Sequence, residues 1–136
     1  MSKILIVEDS PVQALAIQCL LTQRGLKVIH VRDGQSGVIM ARQWMPDAIL
    51  LDVNMPDMDG FEVCRRLQGD ADTSHIPIIM LTAYNSPPTL RRSIFLGAID
   101  FIPKDDFTNA VLLETLRQLH ILTEQHSFPK SGEIGE

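Results

Sequence analysis

Five residues with chemically capable side chains stand just beyond short apolar runs. The run at 3–7 ends in Glu8 and Asp9, the run at 47–51 in Asp52, and the run at 76–81 in Thr82; Lys104 follows the run at 99–102 by two residues. Three carboxylates drawn to one point repel each other, and without compensation at least one takes up a proton. A hard divalent cation with oxygen ligands removes that conflict, and Mg2+ suits sites that offer one or two carboxylates plus phosphate oxygens. The lysine adds a second positive charge and the threonine a hydroxyl. Such a set meets the needs of phosphoryl transfer, in which the equatorial oxygens are neutralised and an in-line nucleophile is held still. A carboxylate can itself be that nucleophile and form an acyl phosphate.

For these residues to meet, the apolar runs must be strands that lie side by side and point the same way. Between them the sequence alternates to helical signals. Ser10-Pro11 offers an N-cap followed by proline at the first helical position, Ala14, Ile17 and Leu21 recur at helical spacing, and Gly25 closes the stretch. The second strand is predicted at 27–31. Further helices are predicted at 34–44, with Val38 and Ala41 on one side, at 61–67, from Ser86-Pro87-Pro88 to Gly97, and at 107–124 with Leu112, Leu116 and Leu119 as its stripe. Five β–α units in succession predict a doubly wound α/β fold, a five-stranded parallel sheet covered by helices on both faces. In open sheets of this kind ligands bind beyond the carboxyl ends of the strands, where the five polar residues fall. The segment 52–60, with its Pro, Asn, Asp and Gly content, reads as the loop after the third strand.

The chain has 136 residues, 45% hydrophobic and 21% charged, which fits one globular domain able to bury its own core. Its formal net charge is −5, and it carries no basic stripe, which argues against direct nucleic-acid binding. No apolar run reaches the length that spans a bilayer, and the N-terminus is too short for a signal peptide. Two cysteines build no disulfide framework, so a cytoplasmic setting is expected; Cys19 and Cys64 are expected as small core residues. His30, His75, His120 and His126 are scattered, with no pair at ligand spacing, and are expected at the surface or in packing. Residues 125–136 are polar, with proline and glycine, and are expected to form a mobile tail.

Four motifs, Ile-Leu-Ile-Val-Glu-Asp-Ser at 4–10, Asp-Val-Asn-Met-Pro-Asp-Met-Asp-Gly at 52–60, Leu-Thr-Ala at 81–83 and Gly-Ala-Ile-Asp-Phe-Ile-Pro-Lys at 97–104, resemble the receiver domain of two-component response regulators. Each is weak alone; in this order, each at a strand end, they form a specific signal. The resemblance covers 3–124 and implies a receiver domain over 1–124 with the flavodoxin-like strand order 2-1-3-4-5. It makes Asp52 the phosphoacceptor. Asp9 would ligate Mg2+ (or Mn2+) together with Asp52 and the backbone carbonyl of Asn54, and Glu8 would do so through water. Thr82 takes the place of the switch hydroxyl, Phe101 of the switch aromatic and Lys104 of the phosphoryl-binding lysine. Asn54 and Tyr84, each two residues past a site residue, take the positions that tune how long the phosphoryl group survives.

The implied partner is a histidine kinase or phosphotransfer protein. The protein would catalyse only its own phosphorylation and dephosphorylation, and would not be an enzyme with a separate substrate. The resemblance also points to a weak or phosphorylation-strengthened homodimer through the fourth helix, fifth strand and fifth helix, with Arg91, Arg92, Asp100, Asp105, Asp106, Arg117 and Gln118 on that face. Two departures from the family stand out. Phe101 replaces a common tyrosine and lacks its hydroxyl. Asp105, within reach of Lys104, stands where the family often has proline after a cis bond; a cis bond before a non-proline costs about 2.5–4 kcal/mol, so Lys104–Asp105 is expected trans. An aspartyl-phosphate phosphatase is the competing enzyme reading, but Asn54 stands where its general acid belongs. A flavodoxin-like flavin carrier would need phosphate-binding amides where Glu8 and Asp9 stand. The remaining alternative is an interaction domain that is never phosphorylated.

Overall fold

The computed structural model describes residues 2–56, 58–83 and 87–122, the side chains of residues 87 and 89 excepted. The elements alternate as β1 (Lys3–Val7), α1 (Pro11–Thr22), β2 (Lys27–Val31), α2 (Gly34–Trp44), β3 (Ala48–Asp52), α3 (Gly60–Gln68), β4 (Ile78–Thr82), α4 (Pro87–Phe95), β5 (Asp100–Pro103) and α5 (Thr108–Gln118). All strand pairings are parallel, in the order β2-β1-β3-β4-β5, as the resemblance implies. Every residue of β3 and β4 is buried, which is why these two read as unbroken apolar runs.

Period-two alternation sends successive residues to opposite faces of the sheet. Leu5, Val7, Ile49, Leu51, Ile78 and Met80 pack with Ala41 of α2 and with Phe61, Val63, Cys64 and Leu67 of α3. Ile4, Ile6, Leu50, Ile79, Leu81 and Ile102 pack with Ala14, Ile17 and Leu21 of α1 and with Leu112 and Leu116 of α5. Three helix starts are fixed by side chains: Ser10 accepts from the Gln13 amide, Asp33 from Ser36 and Asp59 from Glu62.

Four sequence expectations need correction. β4 begins at Ile78, because the Ile76 amide turns back to the Thr73 carbonyl (3.0 Å) and Pro77 has no amide to give. β5 begins at Asp100, because the closing turn of α4 takes up Gly97 (φ 102°) and the Ala98 amide, which bonds Ser93. α5 ends at Gln118: His120 adopts a left-handed φ of 62°, and the Ile121 amide returns to the Leu116 carbonyl, a Schellman closure. The part of the expected helix beyond 122, and the expected tail, lie outside the described residues. Cys19 is exposed, whereas Cys64 is a core residue as expected, its thiol pushed up by burial to about 11.

Gly60 governs how α3 meets β3. A Cβ there would stand 2.3 Å from the Asp52 carbonyl oxygen and 2.8 Å from the Val53 Cα, both backbone atoms that yield only if the chain shifts. Gly60→Ala is therefore expected to lower stability by about 1–3 kcal/mol, the usual scale of overpacking. Urea denaturation measures this, and an unchanged midpoint would show that the loop accommodates the methyl group.

Candidate functional site

The parallel registers set Val7 beside Leu51, Asp52 beside Leu81 and Thr82 beside Pro103, so the residues that follow share one edge. Glu8, Asp9 and Asp52 each bring a carboxylate oxygen there, all within 4.8 Å of one another. The side chains of Glu8 and Asp52 are only 4% and 6% exposed. Lys104 reaches in from the turn after β5. Its ammonium donates to Glu8 Oε1 (2.7 Å), Asp52 Oδ2 (3.1 Å) and Gln13 Oε1 (2.5 Å).

Each oxygen has its own duty. Asp52 Oδ1 accepts the Asn54 amide (3.2 Å), which draws the start of the following loop against the carboxylate. Glu8 Oε2 accepts the Ser10 amide (3.1 Å). Burial holds the Glu8 carboxyl above its ordinary range; the Lys104 hydrogen bond opposes this and the Asp52 charge adds to it. Asp9 is half-buried, and among the described residues its side chain has no hydrogen-bond or ion-pair partner. Three carboxylates facing one ammonium leave two negative charges. An all-oxygen donor set with that charge fits a hard divalent cation.

Thr82 is fully buried at the end of β4, and its carbonyl accepts the Lys104 amide at 2.9 Å, which ties the two strand ends together. Phe101 is half-buried beside Met80, on the sheet face that α2 and α3 cover. Among the described residues all peptide bonds are trans, Lys104–Asp105 included. Asp105 does not compete for Lys104: its Oδ1 accepts the Phe107 amide (2.8 Å) and serves the entry to α5 instead. Tyr84 lies outside the described residues.

Two residues expected on the charged face over α4, β5 and α5 also make contacts within the fold. The Arg92 guanidinium lies 4.2 Å from the centre of the Phe61 ring, so it leans on α3. Asp100 accepts the Thr115 hydroxyl (3.1 Å) and the Phe101 amide (2.8 Å), and so links β5 to α5 within the fold.

Two contacts escaped the sequence reading. His30 of β2 places Nε2 2.7 Å from the Glu8 carbonyl and braces the end of β1; a histidine inside an apolar strand was the available signal. Gln13 contacts Lys104, and the spacing Ser10-x-x-Gln13, that of a capping box, was its signal. In a capping box the residue at the Gln13 position bonds back to the cap amide. Here Glu8 holds that amide, and Gln13 turns to Lys104 instead.

A doubly wound parallel sheet whose carboxyl edge gathers acids around a lysine is the architecture of a receiver domain. The response regulator receiver domain family matches residues 4–117, and the chain belongs to that family. It is thus a receiver domain of two-component systems with an acidic pocket. The chain is 34% identical over 126 residues to the response regulator PleD of Caulobacter vibrioides, an alignment that covers 91% of the chain and 28% of PleD. The receiver domain of a signal transduction histidine kinase from Syntrophus aciditrophicus superposes with a TM-score of 0.80 at 41% identity, over 88% of this chain and 89% of that one. The receiver domain of the sensor histidine kinase PA1611 from Pseudomonas aeruginosa superposes with a TM-score of 0.79 at 32% identity, over 87% and 96%. That structure has a magnesium ion coordinated in its active-site cleft. Among the described residues, no helix is long and apolar enough to cross a membrane.

Proposed function

We propose that Asp52 accepts a phosphoryl group from a histidine kinase or phosphotransfer protein in the cytoplasm. The observation that carries this reading is the hold on its carboxylate. One oxygen is fixed by the Asn54 amide and the other by Lys104, inside a cluster of acids that could hold a cation. A carboxylate oxygen of Asp52 forms the new bond to phosphorus. The bond from phosphorus to the donor nitrogen breaks, its electron pair stays with the imidazole, and the aspartyl acyl phosphate results.

Asp9, Asp52 and the Asn54 carbonyl would hold Mg2+ or Mn2+ directly, and Glu8 through water. When bound, the ion neutralises the charge of the incoming phosphoryl oxygens. Lys104 neutralises a further oxygen. The Thr82 hydroxyl hydrogen-bonds the phosphoryl group once it is present, which biases the loop after β4 and makes room for Phe101 to turn inward. Asn54 and Tyr84 tune the lifetime of the product. The protein turns over no separate substrate. Output through α4, β5 and α5 would be a weak, salt-sensitive homodimer or partner contact, since exposed ion pairs contribute about 0–1 kcal/mol each.

Incubation with a small acyl-phosphate donor and Mg2+ is expected to add one phosphoryl mass to the intact protein. Excess chelator is expected to abolish that gain, and full labelling in chelator would overturn the assignment of the acids to a cation.

A further inference from the structure

The Lys104 ammonium has three hydrogens and three acceptors, so its orientation is fully set. Lysine only donates, so Gln13 must present its amide oxygen. Two of the acceptors are carboxylates with duties in the proposed reaction: Asp52 becomes an acyl phosphate, and Glu8 belongs to the cation site. Gln13 is neutral and stands outside both duties. Its backbone is pinned at the third position of α1, where its amide bonds Ser10 Oγ at 3.3 Å. Its side chain is denied the return bond to the Ser10 amide, which Glu8 Oε2 occupies at 3.1 Å. The amide head is thereby turned across the site mouth to Lys104, at 2.5 Å.

We propose that Gln13 is a positioning residue that anchors the Lys104 ammonium in both the resting and the phosphorylated protein. This rests on the reading of Asp52 as phosphoacceptor. Lysine has among the largest rotamer freedom of any side chain, so a lysine freed from Asp52 and left with Glu8 alone would sample more positions than one that also keeps Gln13. With Gln13 in place, Nζ swings about a fixed contact from Asp52 Oδ2 to a phosphoryl oxygen. A neutral acceptor suits the post, because a fourth carboxylate would add to the repulsion among the other three.

Gln13→Met keeps the length of the side chain and removes the acceptor; Gln13→Glu keeps an oxygen at the same reach. The Lys104 ammonium protons, followed by nitrogen-15 NMR in the unphosphorylated protein, are expected to exchange about ten-fold faster in Gln13→Met, the scale of one lost charge-assisted hydrogen bond. Gln13→Glu restores their protection. Labelling by a small acyl phosphate is expected to slow by about the same factor in Gln13→Met. In a Lys104→Met background, Gln13→Met is expected to cause no further slowing. Unchanged ammonium exchange, or equal slowing with and without Lys104, would overturn the anchor. Absence of labelling in the unsubstituted protein would overturn the Asp52 reading instead, and the exchange comparison would still decide the anchor.

Discussion

Asp52→Asn is expected to lose the gain of one phosphoryl mass entirely. The substitution keeps the shape of the side chain and one oxygen, but the charged nucleophile is gone. It also misfits the local hydrogen bonding. Asp52 now offers two acceptors, one to the Asn54 amide and one to the Lys104 ammonium. An asparagine offers one oxygen and one amino group, so one of those two donors must face another donor whichever way the amide is turned. Labelling should fall to background under donor and Mg2+ concentrations that label the unsubstituted protein. A persistent gain of one phosphoryl would place the acceptor on another residue, and peptide mapping of the labelled protein would find it.

The second large effect concerns Asp9. Of the three acids it alone lacks a partner among the described residues, so its charge is the one left for a cation to satisfy. Asp9→Asn leaves the Lys104 network intact and halves the uncompensated charge from two to one. Mg2+ affinity by calorimetry is expected to fall at least about ten-fold, which is ~1.4 kcal/mol. Mg2+ at a hundred times its dissociation constant should stabilise the unsubstituted protein by about 2.7 kcal/mol. The same concentration should stabilise Asp9→Asn much less. Without a divalent ion the variant is expected to melt at a higher temperature than its parent, because one of three mutually repelling carboxylates is gone. A lower melting temperature in chelator would show that Asp9 has a structural duty instead.

Most of the edge chemistry could be read from the sequence because strand ends are local events. Asp52 and Thr82 are the last residues of β3 and β4, and Glu8 follows β1, each set by an apolar run that stops. What escaped depends on competition among several possible partners. The Ser10-x-x-Gln13 spacing foretells a bond within α1, and only the Glu8 side chain decides that Gln13 is released. Asp105, expected near Lys104, is claimed by the Phe107 amide two residues on. The resemblance puts Arg92 on the α4, β5 and α5 face, and its contact with the Phe61 ring of α3 is a tertiary one that no local pattern announces. The early end of α5 turns on His120, a residue type that enters left-handed backbone more readily than most but does not announce it. Cys19 falls on a helix rich in apolar residues all round, so composition alone could not say which of them face inward.

The strand order also bears on synthesis from the N-terminus. β1 pairs with β2 and β3, and from there the sheet grows at one edge only, β4 onto β3 and β5 onto β4. A chain that folds as it emerges from the ribosome therefore builds the half-sheet with Glu8, Asp9 and Asp52 first. Lys104, which follows β5, arrives last. A half-sheet formed before then would crowd the acids together with no ammonium among them, an electrostatic penalty that the finished domain does not carry. Docking of the final strand brings the missing charge, which couples closure of the sheet edge to neutralisation of the pocket.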